Sequence, residues 1–140
     1  MRTGSATRND DRRPGLVVVL ALLEAREPAA TRVDQLLRSE RAADRPVMSW
    51  INLGEVAYVV GRESSEREAD AVVRDLRPRL RLEVPTEGRV LDAARIRASH
   101  TMAYAGAFAA ATAIAHDAPL LTGDPELLAE GAPWPWEDLR

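Results

Sequence analysis

The chain has no cysteine, no lysine and no long apolar run. Without cysteine there can be no disulfide framework, no thiol nucleophile and no cysteine-ligated zinc. All 19 basic residues are arginine, so chemistry that depends on an invariant lysine is excluded, including P-loop phosphate binding and phospho-acceptor receiver domains. No stretch approaches the ~20 apolar residues of a membrane span, and the polar N-terminus lacks the apolar core of a signal peptide. The expectation is a soluble, cytoplasmic protein with no membrane partner. Arginine suits phosphate recognition, but a gene rich in Ala, Arg and Gly codons accounts for the bias more simply. The net charge of −3 means that nucleic-acid contact would need a local basic patch. A length of 140 residues suits one domain with one substantial core.

Residues 1–14 are polar and aperiodic, which predicts a disordered tail ahead of a domain over 15–140. Leu16 to Leu23, LVVVLALL, begins β-branched and ends in helix formers, so a strand is expected to run directly into a helix. Pro28 can open the next helix, with Val33, Leu36 and Leu37 on its apolar face through about Glu40. Pro46 to Met48 is a short strand, and Ser49 can cap a helix reaching Val60 and stopped at Gly61. Ser65 and Glu68 form a capping box before a helix closed by Pro78. Arg79 to Val84 alternates charged and aliphatic residues as a strand does, and Thr86 can cap a helix through about Ser99. The prolines of Ala132 to Trp136 permit an edge strand at most. Alternating strands and helices predict an α/β fold, a parallel sheet covered on both faces.

Met102 to Leu128 is the most informative segment. From Ala105 to Ala115 nearly every side chain is apolar or very small, which predicts a helix buried on most of its circumference. A short apolar strand, PLLT, follows, and then Gly123-Asp124-Pro125-Glu126 with Asp124 as helix N-cap. Asp124 therefore stands just past the carboxyl end of a buried strand, where open parallel sheets bind ligands; an ordinary N-cap is the alternative reading. Glu55 lies on an apolar row with Ile51 and Val59, so its carboxylate should be partly buried or line a pocket. Two acids meeting at one end of the sheet would make a site for Mg²⁺ held by carboxylates and substrate phosphates. His100, His116, Thr112 and Thr122 have structural roles as their default. Trp134 and Trp136 could stack bases or cover the sheet edge or a subunit contact.

Four blocks resemble PIN-domain proteins, and within them the VapC-type toxins of VapBC toxin–antitoxin pairs. They are LALLEAREPAA (20–30), SWINLGEV (49–56), AFAAATA (107–113) and LLTGDPELL (120–128), in the family's order and spacing. The resemblance implies a three-layer α/β/α domain with a central, mostly parallel sheet. It implies an endoribonuclease in which acidic residues hold Mg²⁺ or Mn²⁺, an RNA substrate, a cognate antitoxin and a homodimer. By the same resemblance Glu55 and Asp124 are the catalytic and metal-ligating acids. Two further family acids are missing: Gly106 stands just before AFAAATA, and Gly15, Leu16 and Val17 stand at the end of the first strand. Each lost carboxylate removes charge that offsets the reluctant dehydration of Mg²⁺, so weak metal binding and impaired cleavage are expected. Two readings follow. One is a Mg²⁺-dependent ribonuclease, impaired in this chain. The other is a degenerate PIN domain that binds antitoxin or RNA without cutting.

Overall fold

The computed structural model describes residues 19–20 and 29–140. The expected tail over 1–14, the first-strand positions 15–17 and residues 21–28 lie outside them. Five strands, β1 (Val19–Leu20), β2 (Val47–Ser49), β3 (Arg81–Glu83), β4 (Leu120–Thr122) and β5 (Trp136–Asp138), form one sheet in the order β3-β2-β1-β4-β5. Every pairing is parallel. The helices are α1 (Ala29–Leu37), α2 (Trp50–Glu63), α3 (Glu66–Leu76), α4 (Glu87–Ser99) and α5 (Tyr104–His116). The chain builds outward from β1 to β3 on one side, then returns to lay β4 and β5 on the other. Strand order therefore reverses between β1 and β4, the kind of position whose carboxyl edge opens a crevice.

Side chains alternate across each strand and so supply two cores. Val19, Val47, Leu120 and Trp136 lie in register across the sheet and pack with α5, Ala93 of α4, Met102 and Trp134. On the other face Met48 and Leu121 pack with Val33, Leu53, Val56, Leu76 and Leu80, from α1, α2, α3 and the approach to β3. This is the three-layer α/β/α arrangement, and double-sided burial explains why the strand segments read as apolar runs.

Eight consecutive residues of α5, Gly106 to Ala113, are buried, more than two turns with no solvent face. Alanine makes this feasible by letting the sheet and neighbouring helices approach on every side. Thr112 is the polar residue in that run: its hydroxyl donates to Phe108 O at 2.7 Å and accepts from Arg89 Nη1 at 3.0 Å. Arg89 also reaches Glu83 at 2.7 Å, and His116 Nε2 contacts Glu83 Oε2. The end of β3, the start of α4 and the end of α5 are thereby tied together. His100 meets Ile96 O and the edge of Trp134, so both histidines serve the fold.

Several expectations need correction. Gly61 does not stop α2, which continues to Glu63; an added Cβ there would meet Ala69 Cβ of α3 at 3.7 Å, so the position belongs to a helix–helix contact. Helix α1 ends at Leu37, short of Glu40. Asp124 does cap the next turn, accepting from Glu126 N at 3.0 Å, but only a single 3₁₀ turn follows (Pro125–Leu127). Trp134 and Trp136 are buried at 0% and 2% exposure, and their indole N–H groups donate to Leu127 O and Ala129 O. They are core residues and offer no ring to a base or a subunit.

Burial pushes the Glu83 carboxyl up, but hydrogen bonds from Arg89 and His116, with their charges, outweigh it and leave it below its ordinary value of 4.5. A carboxyl that titrates lower when folded stabilises the fold above its unfolded value, and that contribution is lost as pH falls through the folded value. Acid unfolding followed by circular dichroism should therefore be shallower below pH 4.5 in Glu83→Gln than in the unmodified protein.

Candidate active site

A cavity of about 30 Å³ opens at the carboxyl edge of the sheet, lined by Asn52, Glu55, Ala103, Gly106, Thr122, Asp124 and Leu127. Three elements bring these residues together for local reasons. Helix α2 starts directly after β2 because Ser49 accepts from Ile51 N at 3.2 Å, which sets Asn52 and Glu55 in its first two turns. They are three residues apart, hence on one face. Strand β4 ends at Thr122, whose hydroxyl accepts from Asp124 N at 3.0 Å and fixes the turn presenting Asp124. Helix α5 begins beside them with no side-chain cap, and its N-terminal partial positive charge favours nearby carboxylates.

The two acids singled out in the sequence thus line one cavity. Burial first, and then the like charge of Asp124, raise the Glu55 carboxyl above its ordinary value. Two carboxylates sharing a confined space repel each other, and a bound cation relieves that repulsion.

Asn52 is the feature the sequence reading missed. It is 1% exposed, and its Nδ2 donates to Ala105 O at 2.8 Å. That bond fixes the amide orientation, because a carbonyl accepts only from the nitrogen. Oδ1 is buried without a hydrogen-bond partner. An unsatisfied buried acceptor costs about 1–3 kcal/mol, a cost that a water or ligand in the adjoining cavity would offset. The available signal was its spacing, a polar residue three positions before Glu55 in an otherwise apolar first turn.

The oxygens available are two carboxylates, with an amide carbonyl in the same lining. Hard donors of this type match Mg²⁺ or Mn²⁺, so these residues fit such an ion. No group of three or more His, Cys, Asp or Glu side chains suited to a metal occurs among the described residues, and the first-strand positions lie outside them. Gly106, on the first turn of α5, lines the same cavity. A Cβ there would make ordinary contacts of 3.5–3.8 Å with Leu127, so sterics do not require glycine.

A raised folded-state carboxyl weakens the fold as pH rises above the unfolded value. Glu55→Gln should therefore melt higher than the unmodified protein at pH 7 without divalent ions. The gain should be within about 1 kcal/mol, given partial solvent screening, and should disappear below pH 4.5. Mg²⁺ or Mn²⁺ should raise the melting temperature of the unmodified protein and leave that of Glu55→Gln nearly unchanged. Differential scanning calorimetry measures both.

A family model for the PIN domain matches residues 17–130. Solved structures that share the fold include the following three. VapBC-1 from nontypeable Haemophilus influenzae superposes with a TM-score of 0.62 at 18% identity, covering 89% of this chain and 98% of that one. VapBC2 from Rickettsia felis, bound to a DNA fragment from its promoter, gives 0.60 at 16%, with 88% and 98% covered. A toxin–antitoxin complex from Klebsiella pneumoniae gives 0.53 at 14%, with 89% and 98%. No curated protein matches the chain. With four-fifths of its length matched by the family model, and a parallel sheet whose strand order reverses beside the Glu55–Asp124 cavity, the chain belongs to the PIN-domain family.

Proposed function

We propose that this PIN domain is the toxin-type partner of a toxin–antitoxin pair, with a site designed for Mg²⁺- or Mn²⁺-dependent hydrolysis of RNA phosphodiesters and cleavage impaired by the loss of acidic ligands. The observation that carries this reading is the shared cavity of Glu55 and Asp124 at the carboxyl edge of the sheet. Glu55 and Asp124 would hold the ion. When bound, a divalent cation lowers the pKa of a coordinated water and neutralises phosphate charge. The chain's own groups set the conditions: Thr122 fixes the Asp124 turn, and the uncapped start of α5 favours an anionic substrate.

The second reading, a non-cleaving domain that binds antitoxin or RNA, is favoured by Gly106, which puts no charge where the family resemblance implies an acid. Partner binding has its own surface. An apolar groove of about 500 Å³ between α1, α2 and α3 includes Val33, Leu37, Val56, Val60 and Val72, with Asp34 and Asp75 beside them. It suits a peptide with aliphatic side chains and a basic residue, and the three similar solved structures are toxin–antitoxin assemblies. The functional unit in this reading is a cytoplasmic homodimer.

Cleavage of a fluorogenic RNA separates the two readings. The unmodified chain should cut slowly, Gly106→Asp should cut at least about tenfold faster, equivalent to about 1.4 kcal/mol of barrier, and a chelator, Glu55→Ala or Asp124→Ala should abolish the signal. No cleavage by Gly106→Asp with Mn²⁺ favours the non-cleaving module. Efficient cleavage by the unmodified chain overturns the impairment.

Antitoxin binding should be independent of the acids. In a pull-down with the protein encoded beside it, Val72→Glu should lose the partner by placing an unpaired charge in the groove, whereas Glu55→Ala should retain it. The reverse pattern would locate the partner at the cavity.

A further inference from the structure

We propose that Asn52 is the outer-shell oxygen of the cation site, its Oδ1 accepting a hydrogen bond from a water on the ion held by Glu55 and Asp124. The inference rests on the metal reading given above and adds a residue that the acidic pattern does not contain.

Three observations converge on it. Asn52 is 1% exposed and lines the same cavity as both acids. Its Nδ2 is committed to Ala105 O at 2.8 Å, so the amide cannot turn its nitrogen toward the cavity without abandoning that bond. Oδ1 remains buried and unpartnered. A buried carbonyl held in one orientation in the lining of a cavity of about 30 Å³, above the roughly 10–15 Å³ that admits a water, is prepared to accept from a water. Mg²⁺ keeps several waters and binds proteins through one or two carboxylates, so a neutral acceptor for one of those waters complements this donor set. The Ala105 bond has a second consequence. It joins the first turn of α2 to the first turn of α5, so the oxygen that faces the ion's shell is held by the helix that carries Gly106.

The probe is Mn²⁺ alone, titrated into the full chain and followed by electron paramagnetic resonance of the free ion. Partners of metal-bound ligands and waters typically contribute ~10–100-fold to affinity. Asn52→Ala should weaken Mn²⁺ binding by about that factor, with far-UV circular dichroism confirming that it folds. The unmodified protein gives a second readout without mutation. On Mg²⁺ titration, the Asn52 side-chain amide resonances should shift with the same midpoint as the backbone amides of Glu55 and Asp124. If the unmodified chain binds Mn²⁺ and Asn52→Ala binds it equally well, or if the Asn52 side chain is silent while Glu55 and Asp124 respond, the role assigned to Asn52 is overturned and the metal reading stands. If the unmodified chain binds no Mn²⁺, the metal reading falls and this role falls with it.

Discussion

The middle of helix α5 is buried around its whole circumference, while Tyr104 and Ile114 near its ends are exposed. Eight successive residues, Gly106 to Ala113, have no access to solvent beyond a few per cent. The sheet covers one side of the helix, α4 lies alongside it and the start of α2 meets it through the Asn52 amide. Alanine supplies little transfer energy per residue but permits close approach, and dense packing of small groups recovers dispersion energy that larger side chains would obtain at greater separation. Trp134 and Trp136 fill the volume left at the far side, with both indole nitrogens satisfied by backbone carbonyls of the segment that follows β4.

That packing fixes where chemistry can occur. Because α5 is held by its neighbours, its uncapped N-terminus sits at the carboxyl edge of the sheet, between the starts of α2 and the β4 turn. The cavity carries costs that the fold does not relieve: a raised Glu55 beside Asp124 and an unpartnered Asn52 oxygen. Unrelieved electrostatic costs concentrate at functional sites, where binding offsets them. The glycine at position 106 weakens the first turn of α5, by roughly 1 kcal/mol against alanine; nothing in the surrounding packing explains the choice.

The polar latch of Arg89, Glu83, Thr112 and His116 lies apart from the cavity and does different work. It satisfies the buried Thr112 hydroxyl and ties the C-terminus of α5 to β3 and α4. The groove between α1, α2 and α3 lies with the other core, where Val56 and Leu76 form part of both core and groove. The two halves of the function proposed above, hydrolysis and partner capture, thus belong to different surfaces of one helix, α2, which presents Glu55 to the cavity and Val56 and Val60 to the groove.

Local chemistry was sufficient to set much of this from the sequence. Ser49, Ser65 and Thr86 cap helices because their hydroxyls accept from N–H groups two or three residues ahead, and short apolar runs between helices became parallel strands because both their faces needed cover. Asp124 was legible from a strand-end turn; Glu55 does line the cavity, but Ile51 and Val59, the apolar row that pointed to it, are exposed. What the sequence left open depended on contacts between distant elements. Gly61 lies where α3 packs on α2, and the proline-flanked tryptophans are core because they pack in one cluster with the alanines of α5. Asn52 became significant only when Ala105, 53 residues away, fixed its amide and left its oxygen buried without a partner in a residue that lines the acids' cavity. Periodicity and capping act within a few residues and can be read along the chain. Burial, charge coupling and hydrogen-bond satisfaction are sums over neighbours in space, and those were decided by the tertiary structure.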